Sequence, residues 1–256
     1  MVRGLYAAYL GMTTQMKRMD VVANNVANVN STGFKKDSVA TQSFAEEFMK
    51  RLNDPGLQMF GNAVKIGKMT SGVFVDTVFT NFTSGSITTT GNALDLAIMG
   101  DGFFAVEVYS GGGASEKYTR DGEFTLADGR LVTRDGSGVL GQSGVVTIPD
   151  GDITIDERGN IYSNGVFVDT LRVVGFEDNS TLRSVKDTMF ETTADSVKKD
   201  PQCIIEQTAL ERSNVNSARE MVDMITVNRA YEANQRSILT IDSTLQRTVN
   251  DIANKR

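Results

Sequence analysis

Acid–base chemistry in this chain could come only from its carboxylates. The sequence contains no histidine, and its single cysteine is Cys203. Ser-His-Asp and Cys-His catalysis, two-histidine zinc sites and an intrachain disulfide are therefore excluded. Carboxylate pairs such as Asp121 with Glu123 and Asp156 with Glu157 lie in turn-like sequence, where water is expected to keep them ionised. The sequence predicts no acid with a raised pKa, no catalytic residue and no metal site.

A glycine-rich run at 136–141, Gly-Ser-Gly-Val-Leu-Gly, has the letters of a dinucleotide-binding fingerprint. That fingerprint binds a pyrophosphate at the N-terminus of the helix that follows it, but here the run lies between two strand-like stretches. Two Arg-Asp-Gly triplets, at 120–122 and 134–136, are explained by successive hairpins. We assign all these residues to turns and expect no cofactor and no small-molecule substrate.

The bulk composition is that of a chain with a sizeable core. Hydrophobic residues make up 40% of its 256 residues, enough for one large domain or two. The net charge is 26 − 32 = −6, and the basic residues near the N-terminus are too scattered for nucleic-acid binding to be expected. The sequence has no apolar run of membrane-spanning length and no signal-peptide pattern at its start. We expect neither a transmembrane segment nor a cleaved signal peptide.

Residues 1–36 carry a helical pattern. Apolar or small residues alternate at spacings of three and four, which places a narrow seam along one side of a helix and requires a partner helix. The asparagines between Asn24 and Asn30 are poor helix-interior residues, and Gly33 is suited to close a helix. The seam consists of Val2, Leu5, Tyr9, Met12, Met16, Met19, Ala23 and Val26.

Residues 206–256 carry a second seam, whose helix is predicted to begin at the capping-box sequence Ser217 to Glu220. Its polar members recur every seventh residue, where such residues fix register or partner choice in a coiled coil. We predict that the two terminal helices pair as a coiled coil; the alternative is two ordinary surface helices on one core. The second seam consists of Met221, Met224, Asn228, Tyr231, Gln235, Ile238, Asp242, Leu245, Val249 and Ile252.

The sequence between the helices changes character twice. Residues 37–80 are predicted to be a connector, with a loosely helical pattern over 37–53 and a β-rich stretch after the break at 53–56. Residues 81–205 contain repeated Asp-Gly and Asn-Gly pairs between short β-branched runs, which predicts a compact antiparallel β domain. Residues 189–201 are polar and are predicted to be a return linker. The fold class is therefore α+β.

Three groups of motifs resemble the flagellar basal-body rod and hook family. The first is the run 23–35, Ala-Asn-Asn-Val-Ala-Asn-Val-Asn-Ser-Thr-Gly-Phe-Lys. The second comprises 90–98, 100–104, 118–124, 131–133 and 139–141, which resemble the β domain of the family. The third comprises 209–216, 220–225 and 229–235, which resemble its C-terminal helix. The short length favours a rod protein over a hook protein, and the distal-rod type and the related proximal-rod type with a β domain both remain open.

This resemblance implies a structural subunit and not an enzyme. Such subunits pass unfolded and uncleaved through the flagellar type III export apparatus. They join copies of themselves and other rod and hook proteins outside the cytoplasmic membrane, in the basal body. The tube they build transmits torque and encloses the export channel, with the terminal helices innermost and the β domain outside.

The resemblance assigns subunit assembly to residues near both ends of the chain. The asparagines in this set are expected to bond neighbouring subunits, although helix termination alone also explains them. The rival functions are a carboxylate-dependent cell-wall hydrolase and a monomeric surface adhesin. The N-terminal assembly residues are Leu5, Tyr9, Met12, Met16, Met19, Asn24, Asn25, Asn28, Asn30, Gly33 and Phe34, and the C-terminal ones are the second seam, Met221 to Ile252.

Overall fold

The computed structural model describes residues 2–44, 47–51, 64–70, 72–110, 113–149, 151–186 and 188–253. It confirms the α+β class: helix α1 (Val2–Ala27) precedes a region of antiparallel strands, and helix α2 (Ser217–Ala253) follows it. Helix α2 begins at the predicted capping-box serine. Among the described helices, none combines the length and the apolar character needed to span a bilayer. The predicted break at 53–56 lies outside the described residues.

The strands follow one another in short antiparallel pairs. In chain order they are β1 (Asp37–Ser43), β2 (Glu47–Arg51), β3 (Val64–Met69), β4 (Val73–Thr80), β5 (Ile87–Thr89), β6 (Leu96–Gly100), β7 (Phe103–Ser110), β8 (Gly113–Thr119), β9 (Phe124–Ala127), β10 (Arg130–Thr133), β11 (Gly138–Val139), β12 (Ile153–Ile155), β13 (Asn160–Ser163), β14 (Val166–Thr170), β15 (Val173–Phe176), β16 (Leu182–Lys186), β17 (Met189–Thr192), β18 (Lys198–Lys199), β19 (Cys203–Gln207) and β20 (Ala209–Glu211).

The chain divides into two compact units. The first, called the helical unit here, comprises Met1–Asn24, Ser38–Phe79 and Ala218–Arg256. The second, called the β unit, comprises Asn25–Asp37 and Thr80–Ser217. The last residues of α1 and the turn after it therefore belong to the β unit, and we call Asn25–Asp37 the root segment.

The β unit is built around a sheet with the strand order β16-β17-β8-β7-β11-β10-β9, in which β7 also pairs with β15. Alternate residues of β7 point to opposite faces, so Phe104 and Val106 enter one buried cluster while Phe103 and Ala105 enter another. The Asp-Gly turn between β9 and β10 has positive φ at both residues, 51° at Asp128 and 74° at Gly129. This geometry is the hairpin turn that the dipeptide predicts.

Two of the predicted elements are wrong. Over 37–51 the structure has strands β1 and β2 instead of a helix; β1 pairs with β4, and the Phe44 and Phe74 rings lie 4.7 Å apart. The predicted return linker contains β17, which pairs with β8, and β18, which pairs with β15. Phe190 of β17 is buried, with its ring 5.7 Å from that of Phe103. In both cases a pairing partner distant in sequence overrides a weak local pattern.

The glycine-rich run at 136–141 was assigned to turns, which holds only at its start, because Gly138 and Val139 form strand β11. Gly136 has φ 81° and donates its backbone N–H to the carbonyl of Thr133, which closes the connection between β10 and β11. Strand β11 follows directly, so a pyrophosphate bound at this run would meet no helix N-terminus.

Candidate assembly site

The least exposed residues of α2 form a line with alternating spacings of three and four. Four of the ten predicted C-terminal seam residues lie on this line, namely Met224, Tyr231, Ile238 and Leu245. The other predicted positions, Met221, Asn228, Gln235, Asp242 and Val249, are exposed. The residues one position before the first four of these, Glu220, Val227, Asn234 and Ile241, lie on the line instead. The side chain of Ile252 lies outside the described side chains.

On helix α1, half-buried residues likewise lie one position before several of the predicted assembly residues. Of the predicted assembly residues, Met12 and Met19 are half-buried, whereas Leu5, Tyr9 and Met16 are exposed. Ala8, Gln15 and Val22 complete the half-buried line. The side chain of Val2 lies outside the described side chains.

The two helices contact each other within the helical unit. A Cβ on Gly11 would lie 3.0 Å from Nδ2 of Asn234, and a Cβ on Gly4 would lie 3.5 Å from Cδ1 of Ile241. Moving from Gly4 to Gly11 along α1 therefore corresponds to moving from Ile241 back to Asn234 along α2, so the two helices are antiparallel. Asn234 and Ile241, both on the half-buried line of α2, take part in this contact.

Large apolar side chains remain uncovered on both helices. On α1, Tyr6 is 52% exposed and Met16 50%; on α2, Leu239 is 61% exposed and Val249 64%. An apolar surface of this kind is typical of an interface. The other members of this surface are Leu5, Tyr9, Met221, Val222 and Ile225.

The asparagines near the end of α1 occupy different environments. Asn25 is 1% exposed; its Nδ2 donates to the Asp37 carbonyl at 2.8 Å, and its Oδ1 accepts from the Asp37 N–H at 3.0 Å. Asn28 is half-buried and accepts from the Ser31 hydroxyl, while Asn24 and Asn30 are exposed. Asn25 thus joins the end of the helix to the start of β1 in its own chain.

Gly33 and Phe34 are buried in the β unit. Gly33 has φ 66°, and its N–H donates to the carbonyl of Glu211 at 2.8 Å. A Cβ at this position would overlap the backbone of Arg120 and Asp121. Phe34 is 3% exposed. Gly33 therefore serves close backbone packing as well as the turn.

Three charged residues meet beside Gly33, and we call them the ion cluster. Lys35 Nζ lies 2.6 Å from Glu211 Oε1, and Arg120 Nη1 lies 3.4 Å from Glu211 Oε2. All three side chains are nearly inaccessible to water. Burial lowers the pKa of Lys35, and the neighbouring Arg120 lowers it further, while Glu211 opposes both effects.

Sequence reasoning did not identify the ion cluster. Its members lie 85 and 91 residues apart along the chain (120 − 35 and 211 − 120), so no spacing rule connects them. The one local signal is that Glu211 follows two apolar residues, Ala209 and Leu210, in a short strand. Charged residues within a buried strand need partners, but the sequence does not say which.

Asp121 corrects the expectation that the turn carboxylates have no raised pKa. It is half-buried and accepts a hydrogen bond from Thr32 Oγ1 at 2.5 Å. Burial raises the pKa of Asp121, and the charges of Glu123 and Asp135 raise it further, against the lowering effect of the Thr32 bond. Asp121 lies on a cleft of about 500 Å³ whose other lining residues are Asn28, Asn30, Ser31, Thr32, Thr119, Glu123, Thr133, Arg134, Asp135, Thr188 and Met189.

Replacing Asp121 by Asn is expected to stabilise the protein at pH 7. Because the folded pKa exceeds the ordinary 3.8, the native state binds more protons than the unfolded state between those two values. The contribution of Asp121 to stability therefore falls as pH rises through this window. Asn keeps an Oδ1 acceptor without the charge, so we expect a gain of about 0.5–1.5 kcal/mol in urea unfolding at pH 7. The gain should shrink as pH approaches 3.8.

The exposed carboxylate of Asp195, which does not line this cleft, provides a control for this variant. Asp195→Asn removes the same charge from a solvated side chain and should change stability by less than about 0.5 kcal/mol. A loss of stability in Asp121→Asn at pH 7 would show that the charge of Asp121 supports the fold.

Comparisons with known proteins cover both ends and the middle of the chain. Family models match residues 5–35 ("Flagella basal body rod protein"), 97–163 ("Flagellar hook protein FlgE/F/G D1 domain") and 206–252 ("Flagellar basal body rod FlgEFG protein C-terminal"). The chain is 34% identical to the flagellar basal-body rod protein FlgG of Agrobacterium fabrum, over 94% of this chain and 96% of the relative.

Two further relatives carry names from the same group. The flagellar basal-body rod protein FlgF of Caulobacter vibrioides is 35% identical over 89% of each chain. FlgG of Bacillus subtilis is 32% identical over 98% of this chain and 99% of the relative. The chain belongs to the flagellar basal-body rod protein family, which confirms the resemblance noted in its sequence. The hydrolase and adhesin alternatives gain no support from these relatives.

Proposed function

We propose that this chain is a structural subunit of the bacterial flagellar rod. Copies of it assemble with other rod and hook proteins into a helical tube that transmits torque and encloses the export channel. The observation that carries the proposal is the uncovered apolar surface on both terminal helices of a chain in this family. A cell would keep such a surface only where other subunits cover it.

The half-buried lines and the predicted seams differ by one residue, which suggests how one helix pair can make contacts within its own chain and also with neighbouring subunits. The half-buried line of each helix faces the other helix of the same chain, in the coiled-coil arrangement that we propose for the pair. The exposed seam positions one residue later then face neighbouring subunits. Each apolar side chain buried there contributes roughly 1.5–3 kcal/mol. The exposed Asn228, Gln235 and Asp242, spaced by seven residues, fix the register between subunits.

The helices are expected to become ordered during assembly. One antiparallel pair buries a single narrow line on each helix, and fixing each backbone residue costs about 1–2 kcal/mol. Helical hydrogen bonds offset only part of this cost, so contacts with neighbouring subunits supply the rest. Circular dichroism of a verified monomer should show much less helix than the polymer. Full helix content in the monomer would contradict this.

The same proposal places the subunit in the basal body, outside the cytoplasmic membrane. The chain reaches that place through the flagellar export apparatus and keeps its N-terminal residues. Mass spectrometry of rods isolated from cells should therefore find the uncleaved N-terminal peptide. A mature chain that begins after α1 would contradict this route, because cleavage would remove half of the helix pair.

Deletion of the gene tests the function as a whole. Cells without the protein should be non-motile, and electron micrographs should show basal bodies with an incomplete rod. The purified protein should not degrade peptidoglycan, and it should fractionate with basal bodies. Complete flagella in the deletion strain would overturn the proposal.

Replacing Val249 by Glu should block assembly and leave the single chain unaffected. Val249 is 64% exposed, so the stability of the monomer should change by less than about 0.5 kcal/mol. In the assembled rod the same position would bury a charge, and a cost of about 1.4 kcal/mol at each interface already lowers affinity tenfold. Sedimentation of the purified variant and swimming of complemented cells measure the effect.

The adjacent Asn250 supplies the matched control. It is also exposed, and Asn250→Glu adds the same charge one position further around the helix. Assembly of this variant should remain within a few-fold of wild type. Equal loss in both variants would mean that charge near the end of the helix, and not burial of Val249, controls assembly.

A further inference from the structure

Glu211 is the point at which separate parts of the β unit meet. Its Oε1 accepts from Lys35 Nζ at 2.6 Å and from the Gly85 N–H at 2.8 Å, while Oε2 faces Arg120. Its own carbonyl accepts from the N–H of Gly33. One residue therefore contacts the root segment, the segment after β4 and the end of β8.

Two members of the ion cluster are held without any help from the root segment. Arg120 donates from Nη2 to the Gly100 carbonyl at 2.7 Å, and its guanidinium carbon lies 5.1 Å from the centre of the Phe103 ring. Glu211 is fixed in β20, where it pairs with Ile87 of β5. All of these residues belong to 80–217, so a neutral Glu211–Arg120 pair exists in that part of the unit alone.

Lys35 is the charged group that the root segment adds to this pair. Its ammonium is almost fully buried and donates to the Thr83 carbonyl at 3.1 Å as well as to Glu211. The other described contacts of the segment with residues 80–217 include the backbone bond from Asn81 N–H to the Lys36 carbonyl and two bonds from hydroxyls to carboxylates, Thr32 to Asp121 and Thr80 to Asp37. Lys35 with Glu211 is the described contact in which both groups carry a charge. Hydrogen bonds between charged groups are roughly twice as strong as neutral ones.

We propose that Lys35 is an ionic latch, by which the root segment docks onto a preformed Glu211–Arg120 pair. The latch lets residues 25–37 dock and release as one piece while residues 80–217 stay folded. Docking brings a second cation to a carboxylate that Arg120 already pairs with. Docking therefore depends on the charge of Lys35 and on the two oxygens that accept hydrogen bonds from its ammonium group.

The latch has a consequence for assembly, which rests on the proposed function. Lys35 follows the end of α1 by eight residues (35 − 27), and Glu211 precedes the start of α2 by six (217 − 211). While the latch is closed, the end of α1 and the start of α2 therefore stay close together on the β unit. They do so before the rest of each helix becomes ordered. Two tethered helices meet at a far higher effective concentration than free ones.

Hydrogen exchange of the full-length monomer, followed by mass spectrometry, tests the latch. Lys35→Met keeps the length of the side chain and removes its charge, and Lys199→Met is the control at an exposed lysine of the same unit. In Lys35→Met, amides of peptides covering 33–37 should exchange at least tenfold faster than in wild type. Amides of β7 (Phe103–Ser110) should be unchanged, and Lys199→Met should match wild type throughout.

Two results would overturn the latch. Unchanged exchange at 33–37 in Lys35→Met would show that its charge does not hold the segment. An equal increase at 33–37 and in β7, or an unfolded variant, would show that Lys35 supports the whole unit and not a separable segment. The measurement uses unassembled protein, so failure of the proposed function, which would be seen as complete flagella in the deletion strain, is a separate result.

Discussion

Gly33→Ala is expected to destabilise the β unit by about 3–5 kcal/mol. The φ of 66° alone costs an alanine roughly 1–2 kcal/mol. In addition, the new Cβ would overlap the backbone N of Asp121 and the carbonyl carbon of Arg120. These are backbone atoms, which cannot move aside as the tip of a side chain can. Urea unfolding of the purified protein, followed by far-UV circular dichroism, measures the loss.

Gly91 separates the two causes of this loss. It has φ 82°, but a Cβ there would meet no heavy atom within 4 Å. Gly91→Ala should therefore lose only the conformational part, about 1–2 kcal/mol. If both variants lost the same amount, the close approach of Gly33 to the 120–121 backbone would contribute nothing to stability.

Gly33 also shows how far local sequence reasoning reaches. Gly33 was correctly predicted to take a positive φ, but α1 ends at Ala27, six residues earlier (33 − 27), so Gly33 does not close the helix. Its second role, contact with the backbone of Arg120 and Asp121, 87 residues away (120 − 33), has no local signal. A glycine is consistent with either role, and the sequence does not distinguish between them.

Fewer than half of the predicted seam positions among the described side chains are half-buried, for a physical reason. If each helix buried only one narrow line of residues, choosing the most apolar residue at each spacing of three or four would identify that line. Here small or polar residues such as Ala8, Gln15 and Asn234 lie on the half-buried lines, while Met16 and Val249 are exposed. In the proposed assembly both lines become interfaces, so hydrophobicity alone cannot rank them.

In the β region, turns between neighbouring strands were predictable from the sequence, whereas the pairing of strands distant in sequence was not. Asp-Gly or Asn-Gly turns join the hairpin partners β9–β10, β10–β11 and β13–β14, the last with positive φ at both Asn164 and Gly165. The Asp-Gly pairs at 101–102 and 121–122 join strands that do not pair with each other. Strand β1 lies in the stretch that was predicted to be helical, and its partner β4 begins 36 residues after β1 begins (73 − 37). The ion cluster is the extreme case, since all three of its members come from different parts of the chain.

Glu211→Gln is expected to lower the free energy of unfolding by about 3–5 kcal/mol, because it leaves Lys35 and Arg120 buried without a counterion. Gln keeps an oxygen that can accept from Gly85 and Lys35, so the loss reports charge and not packing. Lys35→Met should cost less, since it leaves the neutral Glu211–Arg120 pair intact. Urea unfolding at pH 7 compares these two variants.

Glu206→Gln, at an exposed position in the preceding strand β19, is the matched control and should stay within about 0.5 kcal/mol of wild type. The double variant Lys35→Met/Glu211→Gln leaves one unpaired cation where Glu211→Gln leaves two. It should therefore be more stable than Glu211→Gln alone, although it carries one more substitution. Additive losses would mean that Lys35 and Glu211 do not interact in the folded protein, and the short contact between them would then contribute no coupling energy.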